Sequence, residues 1–145
     1  MTKFYEDIEV GGGWTTETHE VTRDEMVGFA RDYDPQPMHV DEEEARETFF
    51  GGLVASGWFT ASVSMRLLVD GFLGDYAVVG ATGVDALRWH EPVRPGDTLR
   101  VSIETVEKEP WNDRMGLVRY EQETTREDDD EVVMSLVADV LFERR

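Results

Sequence analysis

The spacing of hydrophobic and polar residues changes several times along the N-terminal third of this chain. Residues from Trp14 to Thr22 alternate in polarity, which predicts a β-strand. Thr22 and Glu25 then form a capping box at the start of a run of apolar residues with helical spacing. This helix is predicted to end near Tyr33, because the residue before Pro35 avoids the helical conformation.

The middle of the chain contains the longest apolar segment. A short helix is predicted from Asp41 to Phe49, since acidic residues suit the first turn of a helix. From Ala55 to Leu73 apolar residues occupy nearly every helical position, which predicts a long helix buried on most of its faces.

The C-terminal half is predicted to consist mainly of strands, at residues 78–89, 98–107, 115–125 and 132–142, separated by turn-forming residues. Four strands after one long buried helix predict an α+β fold in which an antiparallel sheet wraps around that helix. With 145 residues, 40% of them hydrophobic, residues 1–145 are expected to form one domain.

The charge of the chain restricts its partners. Asp and Glu total 32 against 14 Lys and Arg, which gives a net charge of −18, and the only lysines are Lys3 and Lys108. Such a surface repels nucleic acids and anionic lipids, so neither is expected as a partner. An acidic excess with almost no lysine is typical of a protein from a salt-accumulating halophile, with an acidic mesophilic protein as the alternative.

Two further features of the composition bear on location and chemistry. No apolar run reaches eighteen residues, so no membrane span is predicted. The chain has no cysteine, which excludes disulfides, thiolate nucleophiles and cysteine zinc sites. We expect a cytoplasmic protein.

The segment Asp34-Pro35-Gln36-Pro37-Met38-His39 carries the candidate chemistry. It places a carboxylate and an imidazole on a stretch stiffened by two prolines, and Gly57 follows where the long helix is predicted to begin. An acid/base pair and a backbone N–H at a helix N-terminus are the groups needed to activate water and to stabilise an oxyanion. Taken singly, Asp34 is also compatible with a turn and His39 with a structural role.

No metal site and no cofactor are predicted. His19 and His90 fall in predicted strands and lack the spacing of metal ligands. The acidic run at residues 127–131 lacks the glycine and the spacing of a calcium loop, and a solvated hairpin tip is expected there. Ser62 and Ser64 are compatible either with a hydrogen bond to Asp34 or with bonds inside their own helix.

Three segments resemble the MaoC-like (R)-specific enoyl-CoA hydratases, which have the hot dog fold. These are residues 29–41, the stretch Val54-Ala55-Ser56-Gly57-Trp58, and residues 92–99. The family signature is Asp-x-Asn-Pro-x-His, followed by a glycine at the start of the central helix. In this chain Gln36 stands where the family usually has Asn, and Ser56 where the classical hydratases often have His.

The resemblance implies that Asp34 and His39 activate water for addition to a 2-enoyl thioester, with one of them taking a proton from water and the other delivering a proton to the α-carbon. It implies that Gly57 N–H holds the thioester oxygen, that the substrate is an acyl-CoA, and that the protein is at least a homodimer. Further residues expected to contact the substrate are Ser56, Trp58, Arg88 and Arg94, with Arg31 and Arg66 as additional candidates for the nucleotide.

Two alternatives to a hydratase remain open from the sequence. One is a hot dog acyl-CoA thioesterase, which needs a differently placed carboxylate. The other is a non-catalytic acyl-CoA-binding subunit of a larger complex. The presence of both Asp34 and His39 favours the hydratase over either alternative.

Overall fold

The computed structural model describes residues 1–145 and contains one antiparallel sheet that curves around a long helix. The strands follow the order β1-β4-β5-β6-β3, and β2 also pairs with β4. The predicted α+β architecture is therefore confirmed. In chain order the elements are β1 (Gly13–Thr15), β2 (His19–Glu20), α1 (Arg23–Tyr33), α2 (Pro37–Val40), α3 (Glu42–Arg46), α4 (Gly57–Gly71), β3 (Val78–Trp89), β4 (Thr98–Pro110), β5 (Met115–Arg126) and β6 (Glu131–Glu143).

Helix α4 joins the two halves of the hydrophobic core. Leu67 and Leu68 pack into a cluster with residues of β4, β5 and β6, whereas Phe59 belongs to a second cluster with α1. Val63 contacts both clusters. The catalytic candidates on α4 and on the loop after α1 are therefore positioned by one continuous core.

The predicted strand from Trp14 to Thr22 is interrupted at Thr16. The Thr16 hydroxyl accepts a hydrogen bond from Val101 N–H at 3.0 Å and donates to the Glu17 carbonyl at 2.7 Å. A side chain thus replaces a backbone carbonyl in the ladder with β4, and the strand divides into β1 and β2.

Two helix predictions are corrected by the structure. The short acidic helix ends at Arg46 rather than near Phe49, and the Thr48 hydroxyl bonds to the Ala45 carbonyl just beyond its end. Helix α4 is not buried on all sides, because Trp58, Met65 and Val69 are 55%, 52% and 42% exposed. These three side chains form an apolar stripe that nothing covers within one chain.

The edge strand β3 is exposed along most of its length. It pairs with β6 on one side only, so its other side presents unpaired backbone groups. Val79 and Val84 are half exposed, and Ala86 adopts a left-handed backbone conformation (φ 52°) at an irregularity in the pairing with β6. No helix of the structure is both long and apolar enough to cross a membrane.

Candidate active site

The loop between α1 and α2 presents both predicted catalytic side chains to one cleft. Asp34 is the C-cap of α1, and Pro37 is the first residue of α2, where a proline needs no hydrogen-bonded N–H. Between them Gln36 N–H donates to the Asp34 carbonyl at 2.8 Å, which closes a tight turn around Pro35. The sequence therefore brings Asp34 and His39 together through a turn fixed by two prolines.

His39 has a defined tautomer in this site. Its Nδ1 lies 2.8 Å from the Val54 carbonyl oxygen, which can only accept, so Nδ1 carries the proton. In the neutral ring Nε2 is then a free acceptor, and it lies 3.4 Å from Asp34 Oδ2. The His39 and Asp34 side chains are 12% and 19% exposed, which leaves room for a small molecule to reach both.

Both oxygens of the Asp34 carboxylate accept hydrogen bonds from neutral side chains. Gln36 Nε2 donates to Oδ1 at 2.6 Å, and Ser56 Oγ donates to Oδ2 at 2.7 Å. The Gln36 hydrogen bond, the Ser56 hydrogen bond and the charge of His39 hold the Asp34 pKa below its ordinary value, although partial burial acts in the opposite direction. The hydrogen bonds and the charge of His39 thus outweigh the effect of partial burial on the Asp34 pKa.

The two serines of α4 that were candidate partners of Asp34 bond within their own helix. Ser62 Oγ donates to the Trp58 carbonyl at 2.8 Å, and Ser64 Oγ donates to the Thr60 carbonyl at 2.7 Å. The partner of Asp34 is Ser56 instead, which is fully buried. Ser56 also caps α4 by accepting from Trp58 N–H at 3.3 Å, so one hydroxyl connects Asp34 to the start of this helix.

Gly57 is the first residue of α4, and its N–H has no acceptor within the chain. The N–H lies at the positive end of the helix dipole and beside the cleft of Asp34 and His39. Trp89 Nε1 donates to the Gly57 carbonyl at 2.9 Å. A Cβ at residue 57 would lie 2.7 Å from Cδ2 and Nε1 of Trp89. The absence of a side chain at residue 57 therefore accommodates the indole of Trp89.

A cleft of about 500 Å³ contains these groups. Trp58 and Trp89 stand at its mouth in an edge-to-face pair, with ring centroids 5.1 Å apart. The sequence did not identify most of the lining, because Trp89 and His90 lie at the end of a predicted strand and Glu91 lies after it, without a recognisable motif. The remaining lining residues are Phe49, Phe50, Val54, Ala55, Thr60, Pro92 and Val93.

The arginines proposed for substrate binding do not line this cleft. Arg94 donates to the Phe50 carbonyl at 2.8 Å and so braces the loop that forms one wall. Arg88 is exposed and donates to the Leu87 carbonyl, Arg66 pairs with Asp70, and Arg31 is exposed on α1. No group of three or more His, Asp or Glu side chains is arranged so that it could hold a metal ion.

Comparisons with known proteins identify relatives of this chain. The 3-hydroxybutyryl-CoA dehydratase of Methylorubrum extorquens is 34% identical over 117 residues, which are 79% of this chain and 71% of that protein. The crystal structure of the MaoC-like dehydratase from Rhodospirillum rubrum is 39% identical, with a TM-score of 0.90 and coverage of 99% of this chain and 98% of that one.

The unliganded R-hydratase PhaJ1 from Pseudomonas aeruginosa shares the fold, with a TM-score of 0.79 at 24% identity over 98% of this chain and 86% of that one. The family model described as MaoC like domain matches residues 9–127. This chain therefore belongs to the MaoC-like dehydratase family, and the hot dog fold that the resemblance implied is confirmed.

Proposed function

We propose that this protein is an acyl-CoA hydro-lyase that reversibly hydrates a 2-enoyl-CoA to the (R)-3-hydroxyacyl-CoA. The observation that carries the proposal is the distance of 3.4 Å between His39 Nε2 and Asp34 Oδ2, in a cleft that is also lined by Gly57, whose N–H has no acceptor within the chain. The dehydratase from Methylorubrum extorquens supports the same reaction class.

The two side chains have different roles in this proposal. Asp34 is ionised at neutral pH, since its pKa is lowered, so it has no proton to give. A water molecule about 2.8 Å from both Asp34 Oδ2 and His39 Nε2 donates one hydrogen bond to each. His39 Nε2 is the free acceptor and takes the proton. Asp34 orients the water and stabilises the imidazolium that forms.

In the proposed addition, the proton that His39 takes from water is later returned to the substrate. The hydroxide oxygen bonds to the β-carbon of the enoyl group, and the electron pair of the double bond moves toward the thioester oxygen. Gly57 N–H donates to that oxygen as its negative charge develops. His39 Nε2 returns its proton to the α-carbon as the thioester carbonyl re-forms. Because one group removes and returns the proton, hydrogen and hydroxyl add to the same face.

The walls of the cleft suit an apolar acyl group. Phe49, Phe50, Trp58 and Trp89 supply aromatic surface around the polar groups, as is common in small-molecule sites. The cleft wall contains no arginine or lysine, so the phosphates of CoA are proposed to lie outside it. Arg88, exposed on β3 immediately before Trp89, is the nearest arginine in sequence to the mouth of the cleft.

We also propose that the working form contains a second copy of this chain. The unpaired edge of β3 is exposed, the apolar stripe of Trp58, Met65 and Val69 is exposed as well, and Trp89 at the end of β3 contacts Trp58. Antiparallel pairing of two β3 strands would satisfy the edge and join two sheets. Light scattering in molar salt should give twice the mass of 16.6 kDa or a multiple of it, and a monomer would contradict this proposal.

The reaction class is tested with crotonyl-CoA in molar salt. A hydratase removes the enoyl-thioester absorbance and leaves the thioester intact, so no free thiol appears. Release of thiol from crotonyl-CoA or from saturated acyl-CoA would replace the proposal with a thioesterase. No reaction with short and medium enoyl chains would favour a non-catalytic subunit.

A further inference from the structure

Gln36 stands out in the site because it is the side chain that departs from the signature of the family. It is the N-cap residue of α2, yet its side chain makes no capping hydrogen bond. The amide instead turns back and donates to Asp34 Oδ1 at 2.6 Å. The Gln36 side chain therefore contacts Asp34 and does not cap α2.

The backbone explains why a glutamine can make this contact. Gln36 lies two residues after Asp34, at the end of the turn around Pro35. Its backbone is extended (φ −86°, ψ 149°). An asparagine is shorter by one methylene, or about 1.5 Å, so we expect its amide to reach less far toward Oδ1 from the same backbone position. The contact therefore depends on the length of the glutamine side chain.

We propose that Gln36 is a positioning residue that acts through Asp34: its amide fixes Oδ1 so that Oδ2 faces Ser56 and His39. This inference rests on the proposed hydratase function. A carboxylate with only the Ser56 bond could rotate and exchange its two oxygens, and the water that it orients would lose its defined position. The charge-assisted hydrogen bond from Gln36 opposes that rotation.

The charges around Asp34 support an effect of Gln36 on its pKa as well. His39, on α2, is the one charged group that acts on the Asp34 pKa, and Ser56, the N-cap of α4, is the other neutral donor. Across the cleft, after β3, lie His90 and Glu91. Since the Gln36 hydrogen bond is the largest cause of the lowered pKa of Asp34, its loss should raise that pKa.

Two substitutions of similar size test the inference. Gln36→Met removes the donor, and kcat for crotonyl-CoA hydration is expected to fall about tenfold with KM little changed. Gln36→Glu places two carboxyl groups in contact, which raises the pKa of one of them, so a proton is shared between them as the pH falls. The ratio of Gln36→Glu to wild-type activity should therefore rise from pH 8 to pH 5.5, whereas that of Gln36→Met should not.

A purely structural role for Gln36 predicts a different result. Both variants would then lose activity by a factor that does not depend on pH, and this outcome would overturn the inference. Full activity in Gln36→Asn would likewise overturn the dependence on side-chain length. An NMR titration of the Asp34 carboxyl carbon separates this inference from the proposed function, because it needs no turnover. The Asp34 pKa must be higher in Gln36→Met than in wild type, even if wild type proves inactive as a hydratase.

Discussion

Gly57 contacts Trp89 at the start of α4, and the cost of a larger side chain at residue 57 can be estimated from this contact. A methyl group at residue 57 would lie 2.7 Å from two atoms of the indole, well inside van der Waals contact. Gly57→Ala must therefore displace Trp89 and break its hydrogen bond of 2.9 Å to the Gly57 carbonyl. Because Trp89 is 43% exposed, the indole can swing outward rather than force the helix to move.

The expected cost is about 2 kcal/mol of unfolding free energy. Overpacking costs roughly 1–3 kcal/mol and a lost hydrogen bond about 1 kcal/mol, while the outward movement of the indole relieves part of the strain. In a Trp89→Ala background the clash is absent. Alanine is favoured over glycine in a helix by up to about 1 kcal/mol, and the same substitution should then be neutral or slightly stabilising.

Urea unfolding followed by far-ultraviolet circular dichroism measures this coupling for wild type, both single variants and the double variant. The four proteins are compared in molar salt at one protein concentration, since any dimer adds to the stability. The interaction free energy between the two sites is expected to be about 2 kcal/mol. An equal cost of Gly57→Ala in both backgrounds would refute the packing argument.

Three further results are expected. Gly116→Ala places a methyl group in steric overlap with the ring of Tyr5, so it should lower the unfolding free energy by about 2 kcal/mol or more in urea titrations. An unchanged urea midpoint would contradict this packing. The Asp34 pKa lies below its ordinary value of 3.8, so this carboxylate stabilises the fold above that pH and loses its contribution as the pH falls through the lower, folded-state value. Acid titration of Asp34→Asn should show a smaller loss of stability in that window, and an identical acid limb would count against the hydrogen-bonded carboxylate. The net charge of −18 makes the acidic side chains repel one another, and salt screens this repulsion over a length that falls from about 10 Å at 0.1 M KCl to less than 3 Å at 2 M. The thermal midpoint should therefore rise over this range. A midpoint that stays constant or falls would argue against a halophilic protein.

Periodicity predicted the sheet better than it predicted the loop that carries the chemistry. The strand expected at 78–89 occupies those residues, and β4 extends three residues beyond its predicted end at Glu107. Thr22 and Glu25 form the expected capping box at the start of α1. These features depend on which residue types occur at which local spacing, and this can be read directly from a sequence.

The features that the sequence did not provide depend on side-chain orientation and on contacts between distant segments. The serine that binds Asp34 is Ser56 rather than Ser62 or Ser64, because each of those two serines donates to the carbonyl four residues earlier in α4. Trp89 reaches Gly57 from the opposite side of the cleft. No spacing rule relates residues so far apart in the chain.

The exposed side of α4 illustrates a limit of a different kind. Apolar residues at nearly every position predicted burial, but Trp58, Met65 and Val69 are exposed in one chain. A hydrophobic pattern records burial in the functional assembly and does not say whether the covering surface belongs to the same chain. The proposed second copy accounts for this stripe. The cytoplasmic location and the halophilic origin stay predictions from composition.

The central claim is tested most directly by comparing crotonyl-CoA hydration in two matched variants, Asp34→Asn and Asp32→Asn. Both replace a carboxylate by an amide near the end of α1, but the Asp32 side chain is exposed and forms no ion pair with another residue. The account predicts that Asp34→Asn lowers kcat by about a hundredfold or more, while Asp32→Asn retains the wild-type rate. Equal rates in the two variants would contradict the assignment of this cleft as the active site.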